Sequence, residues 1–336
     1  MIYPHPADVM GSPSLIRLTD ELFVLRFEVM KIKSAMAAVE ALLDKGVIHA
    51  DTVLTDSSSG VYALALALTC HKHRLGCHLI TSRTVDPSLK LQLELLGART
   101  EVVQSAGSLK VDQEMRVRRV MELVAADKRY YWMQQYHDKL HYLGYSEIAT
   151  QLESEFKCDE LHLVGGVGSG ASTGGLAHFL RPRYKKLRVI GVQPFQSITF
   201  GSSHLLDPDN MIAGIGSGIA FLNVDYSVYD DIHWTAFSVG LSGAVELLKL
   251  HGVFAGLSSG CCYAVSRWES TQTGRPTIMI AADTGHRYVD KVFSRHHEAQ
   301  TLSDLEPTLV SDLNQIQPPW SKFFWNGRNY DPIAGG

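Results

Sequence analysis

The stretch Val167-Gly-Ser-Gly-Ala-Ser-Thr-Gly-Gly175, inside LHLVGGVGSGASTGGLAHFL (161–180), decides how the rest of the chain is read. Leu161 to Val164 is an apolar run of the kind a buried parallel strand presents. A helix-like stretch follows, with Leu176, Phe179 and Leu180 on one side. Between them stands a turn of almost nothing but Gly, Ser, Ala and Thr. Glycine lets a backbone pass close to a ligand and take up positive φ. Hydroxyl residues add donors, and the next helix offers free N–H groups and the positive end of its dipole. Such a turn suits a phosphate. For a Gly-rich loop taken alone, an ordinary tight strand–helix connection is the alternative. The Walker arrangement is excluded because no Gly-Lys-Ser/Thr closes the loop. The dinucleotide fingerprint fits poorly, since Gly168-x-Gly170 leads only to Thr173 and no acidic ribose partner follows at the expected distance. The owner of the phosphate must be sought elsewhere in the chain.

On both sides of this turn, strand-like and helix-like segments alternate, the pattern of an α/β protein with mostly parallel sheets. LFVLRFEV (22–29) predicts a strand. Ser34 predicts the N-cap of a helix carrying Ala38, Val39, Leu42 and Leu43 and ended by Gly46. Asp51–Thr55 predicts a short strand running into SSSG (57–60), with VYALALALTCHKH as a buried helix after it. GCHLIT, PSLKLQLELLG and ARTEVVQ repeat strand, helix, strand, and residues 112–127 and 145–156 predict amphipathic helices. LRVIGVQP (187–194), DIHWTAF and PTIMIAAD (276–283) predict strands, and VFAGLSSG a strand with its turn. LSGAVELLKLHG and CCYAVSRW predict helices, whereas GSSHLLDPDN (201–210) predicts a loop. Beyond about residue 300 the periodicity fades. The tail, with Pro318, Pro319, Trp320, Phe323, Phe324 and Trp325, is apolar but irregular. It is expected to pack across a surface, its own or a partner subunit's.

Composition bounds the function. With 336 residues, 45% hydrophobic and 20% charged, the chain is long enough for two modest domains. A net charge of −4, with both signs interspersed, does not point to nucleic acid or an anionic membrane. MIYPHPADVMG lacks a basic region followed by an apolar core, so no secretory signal is read there, and no apolar run is long enough to span a bilayer. The five cysteines form no CxxC pattern, and adjacent Cys261 and Cys262 read as small buried thiols. A cytoplasmic setting is expected. The 15 histidines show no HExxH or comparable spacing, so no catalytic metal is expected.

Four small-residue loops stand at predicted strand ends: Ser57–Gly60, Gly168–Thr173, Gly214–Gly218 and Ser258–Gly260. Each alone reads as a packing turn. Together, in a doubly wound sheet, they would suit a ligand site beyond the strand ends. Lys31 and Lys33, at the start of the first long helix, are the nucleophilic candidates near such a turn. A lysine buried there would have a lowered pKa and could bond to an aldehyde.

The order of these motifs resembles the fold-type II pyridoxal-phosphate enzymes, the tryptophan synthase β-like fold, and within them the cysteine synthase and cystathionine β-synthase family. The likeness covers about residues 11–295. GSPSLIRL resembles the opening G-N-T-P-L-V-R-L, and KIKSA the S-x-K-D-R segment, which implies a Schiff-base lysine at Lys33. DSSSGVYALALA resembles the loop that grips the substrate carboxylate, implying Ser58, Ser59, Gly60, Val61 and Tyr62. MQQY resembles the segment that also binds this carboxylate, implying Gln135. GSGAST is similar to the G-T-G-G-T phosphate cradle, implying Gly168, Ser169, Gly170, Ala171 and Ser172. AGIGSGIAF (213–221) resembles G-I-G-A-G-F, placing Gly214 and Gly216 beside the active site. GLSSG is similar to G-I-S-S-G, implying that Ser258 faces the pyridine nitrogen. DTGHRYVDKVF resembles the closing P-D-x-G-x-R-Y-L.

The resemblance implies two α/β domains with mostly parallel twisted sheets flanked by helices. A smaller mobile domain (35–145) would close over substrate, a larger cofactor-binding domain (1–34 and 146–300) would hold the cofactor, and an irregular tail (301–336) would follow. It also implies pyridoxal 5'-phosphate, small amino-acid substrates and a homodimer. The implied reaction is β-replacement on an O-activated L-serine (O-phosphoserine or O-acetylserine) through an aminoacrylate, with a sulfur or amine nucleophile. A β-eliminating lyase and a non-catalytic relative of the same fold are the alternatives. YYWMQQY, ITFG (198–201), GVFAGLSSG and RYVDKVF resemble the branch that makes a 2,3-diaminopropionate precursor. Departures from the pattern are the missing N-P-T-G-S loop before the lysine, Ser34-Ala35 in place of Asp-Arg, and Val61 and Tyr62 in place of Asn and Thr.

Overall fold

The computed structural model describes residues 2–103, 109–210 and 214–333. Gln104, at the end of ARTEVVQ, and Ala213, at the start of AGIGSGIAF, lie outside the described residues. In chain order the first elements are α1 (Pro6–Met10), β1 (Ser14–Arg17), β2 (Leu22–Arg26), α2 (Lys31–Asp44), β3 (Val53–Ser57), α3 (Val61–His73), β4 (Gly76–Thr81), α4 (Pro87–Leu95), β5 (Arg99–Val102), α5 (Leu109–Ala126) and β6 (Tyr130–Trp132). There follow α6 (Ser146–Glu155), β7 (Glu160–Gly166), α7 (Ala171–Leu180), β8 (Lys186–Pro194), β9 (Asp231–Thr235), α8 (Phe237–His251), α9 (Leu257–Thr273), β10 (Thr277–Ala281), β11 (Thr308–Val310) and β12 (Trp320–Phe324). Short 3-10 turns connect some of them.

These elements form two compact units. The smaller holds Met1–Ser12 and Val29–Gly144. Its sheet, in the order β5-β4-β3-β6, is parallel throughout. Helix α3 is apolar on every side, with Tyr62 through Cys70 all buried, so it lies inside the unit rather than on its surface. Helix α2 lays Ile32, Ala35, Ala38, Val39 and Leu42 into the same core. That stripe starts two residues before the expected N-cap. The helix accordingly begins at Lys31, and Ser34 is a buried residue of its first turn rather than a cap. The first twelve residues and 29–34 belong here and not with the larger unit. Ala7 sits in this core, and the Val29 N–H donates to the Met10 carbonyl at 3.1 Å.

The larger unit, Pro13–Glu28 and Tyr145–Gly336, contains an eight-stranded sheet in the order β1-β2-β10-β7-β8-β9-β12-β11. Strands β2, β10, β7, β8 and β9 are mutually parallel, and β1 and β12 join them antiparallel. The central strands read as continuous apolar runs because both faces are covered. Two elements differ from the sequence reading. VFAGLSSG contributes only an isolated bridge at Ala255, and its last four residues open α9 with Gly256 as the N-cap. The tail is not irregular throughout. Strand β12 pairs with β9 in register from Trp320↔Thr235 to Phe324↔Asp231, and β11 adds to its outer edge.

A buried ionic network explains why that strand docks. Lys322 of β12 donates to the Glu269 carboxylate of α9, which also accepts the His233 Nε2–H of β9 at 3.0 Å. His233 Nδ1 accepts the Trp320 indole N–H at 3.0 Å, so both bonds are served by one neutral tautomer. Burial does hold His233 below the usual histidine range. Burial pushes the Glu269 carboxyl up, but the His233 bond and the Lys322 charge outweigh it and bring the pKa to about 2. A carboxyl lower in the folded than the unfolded state stabilises above the unfolded pKa and loses that effect as pH falls. Glu269 should therefore contribute about 3 kcal/mol above pH ~4.5, fading toward pH ~2. Replacing Glu269 by Gln should lower stability at neutral pH by about 3–5 kcal/mol, since Lys322 is left buried without its counter-charge. Thermal unfolding measured from pH 7 to 2 should show both the loss and a flatter acid limb in the variant.

Candidate functional site

In the larger unit the chain passes from β7 to β8 and β9 on one side, while β10 flanks β7 on the other. Such a reversal of strand order leaves a crevice beyond the carboxyl ends of the strands, and the turn Val167–Gly170 leaves β7 there. A Cβ on Gly168 would stand 2.4 Å from the Gly214 carbonyl oxygen, and one on Gly170 would stand 2.9 Å from that of Asn223. Gly170 also has φ +80°, in the left-handed region. The Gly216 N–H donates to the Val167 carbonyl at 2.9 Å, tying the second glycine segment to the first. The first intrahelical bond of α7 runs from Gly174 N–H to Gly170 C=O, so the N–H groups of Ala171, Ser172 and Thr173 have no acceptor within the helix. Ser169 and Ser172 are buried beside them, while the Thr173 hydroxyl bonds to that of Tyr229 at 2.7 Å. The cradle fits a phosphate, with no room for a side chain at Gly168.

Ser258 is the second residue of α9, buried, and lines a small pocket with Ile215, Thr235, Leu257 and Cys261. Its place is fixed by helix packing. A Cβ on Gly260 would lie 2.1 Å from the Gly240 carbonyl, and one on Gly243 would lie 2.0 Å from that of Gly260, so α8 and α9 touch backbone to backbone. Asp207 accepts the Phe237 N–H at 2.8 Å and caps α8. Burial pushes the Cys261 thiol up to about 11, which keeps it protonated and inert. The predicted residues Gly168–Ser172, Gly214, Gly216 and Ser258 are thus brought together within one unit.

The smaller unit gathers the others. Ser58 and Ser59 follow β3, Gly60 is the N-cap of α3, and Val61 and Tyr62 are its first two residues. The Gln135 backbone N–H donates to Asp56 Oδ2 at 2.9 Å and its Nε2 to the Ser57 carbonyl at 2.9 Å. The Tyr136 hydroxyl reaches the same carbonyl at 3.3 Å. Asp56 further accepts the Ser57 N–H (2.7 Å) and the Trp132 indole N–H (3.1 Å). Burial pushes its carboxyl up to about 6, against these bonds and the charge of Arg116. Arg116 itself is buried. It donates from Nη1 to Ser57 Oγ and from Nε to Asp112, both at 2.8 Å. Tyr62 is buried with no hydrogen-bond partner for its hydroxyl among the described residues.

Both candidate lysines stand in the first turn of α2. Lys31 is the first residue of α2, half-buried, and desolvation brings its ammonium down to about 8. Lys33, two residues on, is also half-buried. His141 braces this turn, its Nδ1 3.2 Å from the Ser34 carbonyl and its Nε2 3.0 Å from that of Met133. Sequence reasoning missed Asp56 and Arg116. Asp56 had a signal, a carboxylate interrupting the apolar end of β3, whereas Arg116 on a charged helix had none. Among the described residues no three His, Cys, Asp or Glu side chains are grouped to hold a metal.

Comparison with known proteins identifies the family of the chain. A family model described as pyridoxal-phosphate dependent enzyme matches residues 23–281. The chain belongs to that family, and within it to the cysteine synthase type that its motif order implied; its cofactor is pyridoxal phosphate. It is 30% identical over 273 residues to N-(2-amino-2-carboxyethyl)-L-glutamate synthase of Ralstonia nicotianae, covering 79% of this chain and 78% of that protein. The protein of the same name from Cupriavidus metallidurans is 29% identical over 275 residues, with the same coverage of each chain. Among solved structures, the O-acetylserine dependent cystathionine beta-synthase from Helicobacter pylori has the same fold, with a TM-score of 0.76 at 20% identity. The match covers 86% of this chain and 98% of that one.

Two outcomes are expected. Gly168→Ala should weaken retention of pyridoxal phosphate about tenfold, because the added methyl meets the Gly214 carbonyl. Equilibrium dialysis of the purified variant measures it. Asp56 has the opposite linkage sign to Glu269. With its folded pKa above the unfolded one, its contribution is full below pH ~4 and is lost as pH rises through ~6. Asp56→Asn should remove about 3 kcal/mol of that decline, read from denaturant unfolding across the same interval.

Proposed function

We propose that the protein catalyses β-replacement on an O-activated L-serine, with an amine as the incoming nucleophile. The observation that carries the reading is the Gly168–Ser172 cradle set in one unit with the hydroxyl of Ser258. Bound pyridoxal phosphate makes the α-proton of an amino acid acidic and lets a substituent leave the β-carbon. Gly168, Ser169, Gly170, Ala171 and Ser172 would hold its phosphate through backbone N–H groups and hydroxyls. Ser258 would meet the pyridine nitrogen. A hydroxyl there leaves that nitrogen uncharged, which favours loss of a β-substituent over racemisation or transamination. Gly214 and Gly216 support the cradle from behind.

Lys31, rather than the Lys33 suggested by motif likeness, is the residue we assign to the cofactor aldehyde. An amine brought down to about 8 carries a usable free-base fraction near neutral pH, whereas an ordinary solvated lysine is almost wholly protonated there. Once freed by the substrate amine, Lys31 Nζ would take the α-proton. Ser58, Ser59, Gly60 and Gln135 would orient the substrate carboxylate. Val61 and Tyr62 supply no amide there, so the electronics must be set by other groups. The choice of an amine follows from the two bacterial relatives, whose name describes a glutamate bearing a 2-amino-2-carboxyethyl group on nitrogen. A homodimer in a reducing cytoplasm suits the family likeness and the five free cysteines.

The test is the visible absorbance of the wild type, Lys31→Ala and Lys33→Ala, each loaded with pyridoxal phosphate. Wild type and Lys33→Ala should show the imine band and Lys31→Ala should not; the reverse pattern returns the assignment to Lys33. Incubation with O-phospho-L-serine or O-acetyl-L-serine and glutamate should give a new C–N bonded product by mass spectrometry. Pyruvate formed at the same rate with and without glutamate would instead make the enzyme a β-eliminating lyase.

A further inference from the structure

We propose that Arg116 is a positioning residue that holds the Ser57–Gly60 loop in its substrate-binding form. This rests on the reading above that Ser58, Ser59 and Gly60 receive the amino-acid carboxylate. Arg116 lies on α5, a helix whose alternating charges read as a solvated face. Yet its side chain is only about 7% exposed. One arm of the guanidinium donates to Ser57 Oγ at 2.8 Å, while Nε pairs with Asp112 at 2.8 Å one helical turn earlier.

Ser57 is the last residue of β3, and every polar group it offers inward is held. Its hydroxyl takes Arg116, its carbonyl takes Gln135 Nε2 and the Tyr136 hydroxyl, and its N–H goes to Asp56. The residue before the loop is therefore locked from four sides, and Arg116 supplies the one charge-assisted bond to its side chain. A buried guanidinium needs compensation. Asp112 gives one full negative charge, and Asp56, held up near 6 by burial, adds another only as pH rises. Below pH ~6 the Arg116 and Asp112 charges cancel, so the clamp acts through its bond to Ser57 and not through a net field at the loop. Motif comparison cannot find such a group, because it approaches the loop through the side of the sheet and not through the loop's own sequence.

The test compares Arg116→Ala, Arg116→Lys and Ser57→Ala with wild type in the cofactor-loaded protein. In Arg116→Ala the KM for O-acetyl-L-serine should rise about tenfold, the loss of one charge-assisted bond. The kcat and the intensity of the cofactor band should stay within about twofold of wild type. Arg116→Lys should recover part of the KM by restoring charge without the fork. Ser57→Ala should reproduce the KM effect while leaving the arginine in place, and it decides the matter if Arg116→Ala does not fold. Amide hydrogen exchange at 58–60 should quicken in both truncations, a readout that needs no cofactor. An unchanged KM in Ser57→Ala and Arg116→Lys, or a fall in kcat with KM unmoved, would overturn the proposal. Absence of a cofactor band in wild type would count against the cofactor reading alone, and the exchange measurement would still judge the clamp.

Discussion

The contact on which the larger unit's site depends is the approach of the Gly214 carbonyl to Gly168. At 2.4 Å from where a Cβ would sit, it excludes every other residue at that position. Two loops that leave different strands can then share one space, beside a helix start whose first three N–H groups have no acceptor within the helix. The same device recurs where Gly260 and Gly243 let α8 and α9 meet backbone to backbone, which sets the height of Ser258. Small residues here do not mark flexibility. They mark places where backbone replaces side chain as the packing surface.

The smaller unit works by a different means, which is controlled desolvation. Lys31, Asp56 and Arg116 are all shielded from water, and the consequences differ with the partners each one has. Lys31 is lowered by desolvation. Asp56 is raised by burial despite three N–H donors. Arg116 keeps its charge, as a guanidinium does, and is accommodated by Asp112 and the Ser57 hydroxyl. One apolar helix, α3, makes this possible by filling the interior beside the loop it carries at its N-terminus.

Within the larger unit, Glu269 joins three elements that are distant in sequence. Its carboxylate receives Lys322 from the tail strand and His233 from β9, with Trp320 completing the chain through His233. Lys322 also lies 4.7 Å from the centre of the Trp268 ring, so its stem and its charge are both used. This network turns a segment without periodicity into a strand paired on both sides.

The sequence by itself determined the alternation of elements, the buried strands and the small-residue turns, because apolar runs and Gly, Ser and Thr clusters are local signals of local geometry. Motif order determined the family as well, since each motif marks a turn that must meet the same ligand. It did not determine the start of α2, where a buried serine resembled a cap, nor strand β12, whose segment carries no periodicity. Nor could it find Arg116. Those depend on which charged groups lose water and which partner replaces it, and that is settled only when distant segments pack.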